Sequence, residues 1–221
     1  MENRKIYYNG ILVGSLWVFL ESTFRYIIAM LPFNFVNVGM VIIPIAGLLM
    51  IFAYDKNKNK KTVYIACITA ILVKFLVLVA FMILGTIHTM PSPSVVALLN
   101  SVLSIVIQGV CFSIVMYFYN GKVLSFIEIS SLVTVLVISF RVVQYLLFSF
   151  GIGPVLLDFH HDFQFFNIIV YAIIKITIAT YLVYSLYEKY ELIIYFQDAN
   201  KLYAITTFVA AFIVNCFVFF V

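Results

Sequence analysis

The sequence predicts an all-α protein: a polytopic transmembrane helix bundle of six core helices plus a seventh, one integral membrane domain over residues 1–221. Three observations predict it. Hydrophobic residues make up 65% of the chain and charged residues only 10%, whereas a soluble domain covers itself with roughly 25% charge. The mean hydropathy is +1.16. Lys and Arg gather in alternate connections between long apolar runs. An aromatic content of 18%, with 9 Gly and 5 Pro, excludes disordered and collagen-like chains.

Crossing a bilayer takes about 20 apolar residues at ~1.5 Å each. Runs of that kind cover approximately 9–32, 36–54, 62–86, 93–119, 124–150, 164–187 and 202–221. Backbone groups in hydrocarbon must bond within their own segment, so each run is a helix; the short alternating segments of a membrane barrel are absent. The first run follows a basic start, as in a signal peptide, but Glu21 and Arg25 interrupt it and no small-residue cleavage site follows, so it is expected to stay. Pro32 marks a break and Pro44 a kink in the second run. His88, Pro91 and Pro93 mark a short loop before the fourth. After the sixth, Tyr187 to Lys201 mixes aromatics, aliphatics and charges, and reads either as an interfacial helix or as a connector. The seventh run reads as spanning, re-entrant or peripheral.

Arg4 and Lys5 precede the first run, Lys56, Lys58, Lys60 and Lys61 fill the second connection, Lys122 the fourth, and Lys189 and Lys201 the sixth. The first, third and fifth connections hold neither Lys nor Arg. A cytoplasmic N-terminus follows. The same distribution assigns the net charge of +4 to orientation in a lipid bilayer, not to nucleic acid. Cys67, Cys111 and Cys216 lie scattered in apolar runs, matching neither a disulfide framework nor a zinc pattern.

Ionisable groups at bilayer depth cost at least about 2.5 kcal/mol and usually face the bundle interior. Glu21, Lys74 and Lys175 fall near the midplane, with Arg25 and Arg141 further out. At about 100° per residue, Gly10, Gly14, Glu21 and Arg25 share one face of the first helix, and Glu21 and Arg25 form an i,i+4 pair. Asn100, Ser104 and Gln108 make a stripe on the fourth helix, as do Asn167, Tyr171 and Lys175 on the sixth; Arg141 shares a face with Gln144 and Tyr145 on the fifth. Interior cations outnumber the one interior carboxylate, which predicts an anionic or electron-rich small-molecule ligand arriving from outside. In that reading Glu21 holds Arg25; Lys74, Lys175 and Arg141 meet the ligand; Asn100, Gln108 and Asn167 orient it. The competing reading is a set of structural ion pairs.

Gly10 and Gly14 form a small-xxx-small motif for close helix approach, within the chain or to a partner. The connection GPVLLDFHHDF carries Asp158, His160, His161 and Asp162. It reads as a gating or pH-sensitive loop, since no metal-ligand spacing is present. No cofactor and no metal are expected. Glu21 and Arg25 resemble the ExxxR element of membrane CAAX-processing proteases, but the Glu is single and no in-membrane histidine follows; P-loop, GxSxG and Rossmann patterns are absent too.

The first half of the chain resembles the substrate-binding (S) components of energy-coupling factor transporters. The features that carry the resemblance are Gly10-xxx-Gly14 followed by Leu16-Trp17-Val18-Phe19-Leu20-Glu21, the Leu31-Pro32-Phe33 exit, Ile43-Pro44, Ile71-Leu72-Val73-Lys74 and the Pro93-to-Asn100 entry. The resemblance implies a bacterial plasma-membrane protein with six core helices that captures a vitamin-like molecule from outside. It also implies that Gly10 and Gly14 dock onto a transmembrane coupling subunit driven by two ATPases. The competing classes are a membrane enzyme or lipid-handling protein with a basic intramembrane pocket, and a structural membrane subunit.

Overall fold

The computed structural model describes the backbone of residues 2–30, 38–87, 92–118, 126–149, 162–190 and 200–220, and most side chains within them. Every element is a helix: α1 (Glu2–Met30), α2 (Val38–Asn57), α3 (Lys60–Ile87), α4 (Ser92–Phe118), α5 (Phe126–Ser149), α6 (Asp162–Tyr190) and α7 (Lys201–Phe220). No strand occurs among the described residues. Three helices are long and apolar enough to cross a membrane, over Arg4–Ile28, Lys60–Ile83 and Lys201–Val218. Shorter apolar stretches run over Ile42–Tyr54, Ser101–Ile114 and Ile169–Leu182.

The helices begin and end where backbone chemistry changes. α1 starts seven residues ahead of its apolar run, because Glu2 to Tyr8 are compatible with helix and extend it past the apolar stretch. Lys58 adopts a φ of 45°, the left-handed conformation that stops a helix, and ends α2. Asn59 then opens α3: its Oδ1 accepts from the Lys61 N–H at 2.9 Å and its carbonyl from the Thr62 N–H at 3.1 Å. Asn200 caps α7 likewise, its Oδ1 accepting from the Tyr203 N–H at 2.9 Å. α2 runs through Pro44 without interruption, and Pro93 sits in the first turn of α4, where its missing N–H breaks no helical bond. Pro32, His88 and Pro91 lie outside the described residues. Hydroxyls inside the apolar helices bond back to their own backbone, as Thr23 to the Phe19 carbonyl and Ser113 to the Gly109 carbonyl, both at 2.8 Å.

The short α2–α3 turn makes those helices antiparallel neighbours. Asn9 Nδ2 donates to Asn57 Oδ1 at 3.1 Å, and Lys60 Nζ donates to the Tyr117 carbonyl at 2.8 Å, capping the end of α4. The start of α1, the end of α2, the start of α3 and the end of α4 therefore lie at one end, together with Arg4, Lys5, Lys58, Lys60 and Lys61.

Packing divides the bundle into two groups of helices joined by α2 and α4. α1 packs on α3, α7 and α2, while α3 packs on α4 and α7. Their shared core contains Val13, Trp17, Ala46, Ala66, Ala70 and Phe112. α6 packs on α2 and α5, and α5 on α4, around Ile43, Ile107, Cys111, Val133 and Ile176. α7 belongs to the first group: Phe212 and Cys216 close over Val77, Leu78 and Phe81 of α3 and Val102 of α4.

Gly10 and Gly14 bring α1 onto α3. A Cβ at Gly10 would lie 2.7 Å from Ile65 Cβ and 2.9 Å from the Thr62 carbonyl; one at Gly14 would strike the Ala66 carbonyl and lie 2.9 Å from Thr69 Cβ. Of the two close approaches that the sequence offers, within the chain or to a partner, Gly10 and Gly14 make the first, against α3 of the same chain.

Candidate functional site

The described side chains converge at mid-height where α1, α3, α4 and α7 meet. Glu21 and Arg25 follow from helix spacing: one turn apart on α1, Arg25 Nη2 donates to Glu21 Oε1 at 2.9 Å. The Gly10 and Gly14 contact sets the α1–α3 separation, and two turns beyond it Glu21 Oε2 forms an ion pair with Lys74 Nζ of α3. Ser101 of α4 adds an Oγ–H donor to Glu21 Oε1 at 3.4 Å.

Lys74 is 1% exposed. Besides the Glu21 carboxylate, its ammonium donates to Asn215 Oδ1 of α7 at 2.6 Å and to Ser22 Oγ of α1 at 3.2 Å. The ammonium is thus held by one ion pair and two hydrogen bonds, all inside the chain. Asn215 is itself fixed. Its Nδ2 donates to the Ala211 carbonyl at 2.8 Å and to the Val18 carbonyl at 3.4 Å, and its Oδ1 also accepts from the Ser22 hydroxyl. Arg25 is the outlet of the cluster, its side chain 29% exposed against 5% for Glu21.

Of the residues singled out in the sequence, the structure brings together Glu21, Arg25 and Lys74. Gln108 is buried on α4, its Nε2 donating to Ser104 Oγ at 2.8 Å along the expected stripe; the α4 residue that reaches Glu21 is Ser101. Lys175 does not join. Its helix packs on α2 and α5, and its ammonium lies 3.9 Å from the ring centroid of Tyr171, one turn earlier on the same helix. Lys74 and Lys175 thus have different surroundings, because neighbouring helices, not charge type, decide which groups meet. The backbones of Asn100, Arg141, Gln144, Asp162 and Asn167 are helical, but their side chains, and all of Asp158, His160 and His161, lie outside the described residues.

Ser22, Ser101 and Asn215 are the members that sequence reasoning missed. Asn215 carries a signal, a lone amide in an otherwise apolar α7 segment. Asn215→Leu is expected to cost about 2 kcal/mol, since it removes a hydrogen bond to a buried charged group, and to loosen α7 from α1 and α3. Thermal unfolding in lipid nanodiscs checks this; an unchanged Tm would remove Asn215 from the cluster.

The cysteines are free thiols, and no group of three His, Cys, Asp or Glu able to hold a metal occurs among the described residues. The arrangement can exchange ionic partners: a carboxylate bridges two cations, one sealed in and one at the rim. Comparisons with protein-family models, with curated proteins and with solved structures found no match.

Proposed function

We propose that the protein is a polytopic membrane protein with a cytoplasmic N-terminus, acting as a solute-binding subunit that captures a small anionic molecule from outside and relies on a separate module for energy. The observation that carries this reading is the buried Glu21–Arg25–Lys74 cluster. Lys74 lies about 21 Å along α3 by helical rise, near the middle of a span. A buried ion pair stabilises no more than apolar packing of the same volume, so one at mid-bilayer is best accounted for by a working cycle that opens it. An anionic solute group would enter past Arg25, displace the Glu21 carboxylate and take its place between Arg25 and Lys74. The basic residues at the N-terminal end of α1 support the orientation. The resemblance to S components of energy-coupling factor transporters accords with this division of labour, with any coupling subunit docking elsewhere than on Gly10 and Gly14.

One observation favours a second reading, a structural subunit whose ion pair fixes helix register: the Lys74 ammonium finds an ion-pair partner and two hydrogen-bond acceptors inside the chain. Thermal unfolding in nanodiscs with acetate, benzoate, glutarate and inorganic phosphate separates the two. Solute binding predicts that at least one probe raises Tm by several degrees, that Glu21→Gln strengthens the effect by removing the competing carboxylate, and that Arg25→Gln abolishes it. A Tm indifferent to every probe, in the native protein and in Glu21→Gln, contradicts the solute reading.

A further inference from the structure

Lys175 is half-buried within the apolar stretch Ile169–Leu182 of α6. Asp162 and Tyr190, the ends of the helix, each lie about 20 Å away along its axis, beyond a lysine stem of about 6 Å. Among the described residues its charged-group contact is the Tyr171 ring on its own helix. Lys74, by contrast, pairs with Glu21 of a neighbouring helix. The nearest carboxylates of α6 itself are Asp162 and Glu188, both 13 residues from Lys175. Its packing neighbours α2 and α5 carry their acids at their ends, Asp55 in the last turn of α2 and Glu128 in the first turn of α5.

The cation also stands on a particular face. Ile169, Ala172, Ile173 and Ile176 turn into the core with α2, α4 and α5, whereas Tyr171, Ile174, Ile178 and Tyr181 are exposed. With Lys175 these four fall within roughly 120° at 100° per residue. They recur at alternating steps of three and four, the spacing of a seam on which a second helix packs left-handedly. Lys175 follows Ile174 and so flanks that seam, the position from which charged side chains reach across to a partner helix and select it. A face that meets only lipid needs no such group: Ile68, Leu72, Phe75, Met82 and Ile83 on the exposed side of α3 are apolar throughout.

We propose that this face of α6 receives a transmembrane helix of another protein, one that carries an Asp or Glu at mid-span to pair with Lys175. A cation in hydrocarbon is stabilised by an anion at its own depth, and the apolar seam supplies the packing that holds the two helices in register. A second copy of the chain does not fit. It would set Lys175 near Lys175, and its Glu21 is already held by Arg25 and Lys74. The proposal rests on the membrane reading given above but not on the solute, since a transport subunit and a scaffold would use the face alike.

The full-length protein, with Cys67, Cys111 and Cys216 replaced and Ile178→Cys introduced, is reconstituted into lipid vesicles with leucine peptides of about 20 residues, long enough to span. Each peptide has Glu, Gln or Leu at its centre and a cysteine one turn away, matching the turn between Lys175 and Ile178. Disulfide adducts are then counted after mild oxidation. The expected result is several-fold more adduct with the Glu peptide than with the Gln or Leu peptide. Lys175→Gln is expected to erase that preference and Lys175→Arg to keep it, while Ile68→Cys on α3 shows none. Equal adducts with all three peptides, or a Glu preference that survives in Lys175→Gln, overturn the proposal; the native-lysine comparison needs no variant at position 175 to fold. A disulfide dimer of the protein forming in preference to every peptide adduct overturns it in favour of a second copy. Adducts at Ile68→Cys with none at Ile178→Cys overturn it by showing that this face of α6 does not meet the bilayer.

Discussion

Lys74→Met is expected to destabilise the protein by about 3–5 kcal/mol, the usual cost of removing one partner from a buried ion pair. The loss comes from Glu21, whose Oε2 would face hydrocarbon with its ammonium gone, and from Asn215 and Ser22, which lose the donor that ties α7 and α1 to α3. The double variant Glu21→Gln/Lys74→Met is expected to recover part of the loss, since the buried carboxylate facing the missing ammonium is gone, while Arg25, 29% exposed, loses its own carboxylate. Exchanging the charges, Glu21→Lys with Lys74→Glu, is expected to fail. Arg25 sits 2.9 Å from the position 21 carboxylate and would then face a cation one turn away on its own helix. Equilibrium unfolding in nanodiscs measures all three. Equal stability of the single and double variants would show that Glu21 and Lys74 are not energetically coupled.

The second large effect is steric. Gly14→Val places a branched side chain where even a Cβ meets the Ala66 carbonyl and Thr69 Cβ. Backbone cannot yield as a side-chain tip can, so α1 must move away from α3, at a cost of about 1–3 kcal/mol. The displacement would also misalign Glu21 with Lys74, two turns further on. Gly109→Ala is the control: its Cβ would lie 3.4 Å from the mobile Ile71 Cδ1 and is expected to be tolerated. The same unfolding measurement distinguishes them, and a Gly14→Val protein as stable as Gly109→Ala would contradict the α1–α3 contact.

These positions show what the sequence made legible. Helices followed from composition and run length, and the Glu21–Arg25 pair from a spacing of four, because both depend only on local geometry. Gly10 and Gly14 announced a close helix approach but not which helix arrives, as any small-residue face serves equally. Lys74 and Lys175 looked alike, each a lone lysine in an apolar run. They differ because α3 lies beside a carboxylate on α1, whereas α6 packs on α2 and α5 and leaves Lys175 to its own Tyr171. Ser22 and Ser101 were unreadable for another reason: hydroxyls in apolar helices usually bond to their own backbone, so a serine that crosses between helices has no distinct pattern. Asn215 was legible as an oddity, but its role depends on α7 lying between α1 and α3.

The account rests on the ionic cluster lying at the centre of a bilayer, and a depth profile along α3 tests that most directly. With Cys67, Cys111 and Cys216 replaced, nitroxides are placed singly at Ile68, Leu72, Phe75, Met82 and Ile83, all on the exposed face of α3, and the protein is reconstituted into lipid. The account predicts that collision with oxygen peaks, and collision with a water-soluble nickel complex is lowest, at Leu72 and Phe75, the level of Lys74, with the nickel signal rising toward Ile83. Nickel reaching Leu72 and Phe75 as readily as Ile83 would place Lys74 outside the hydrocarbon and contradict it.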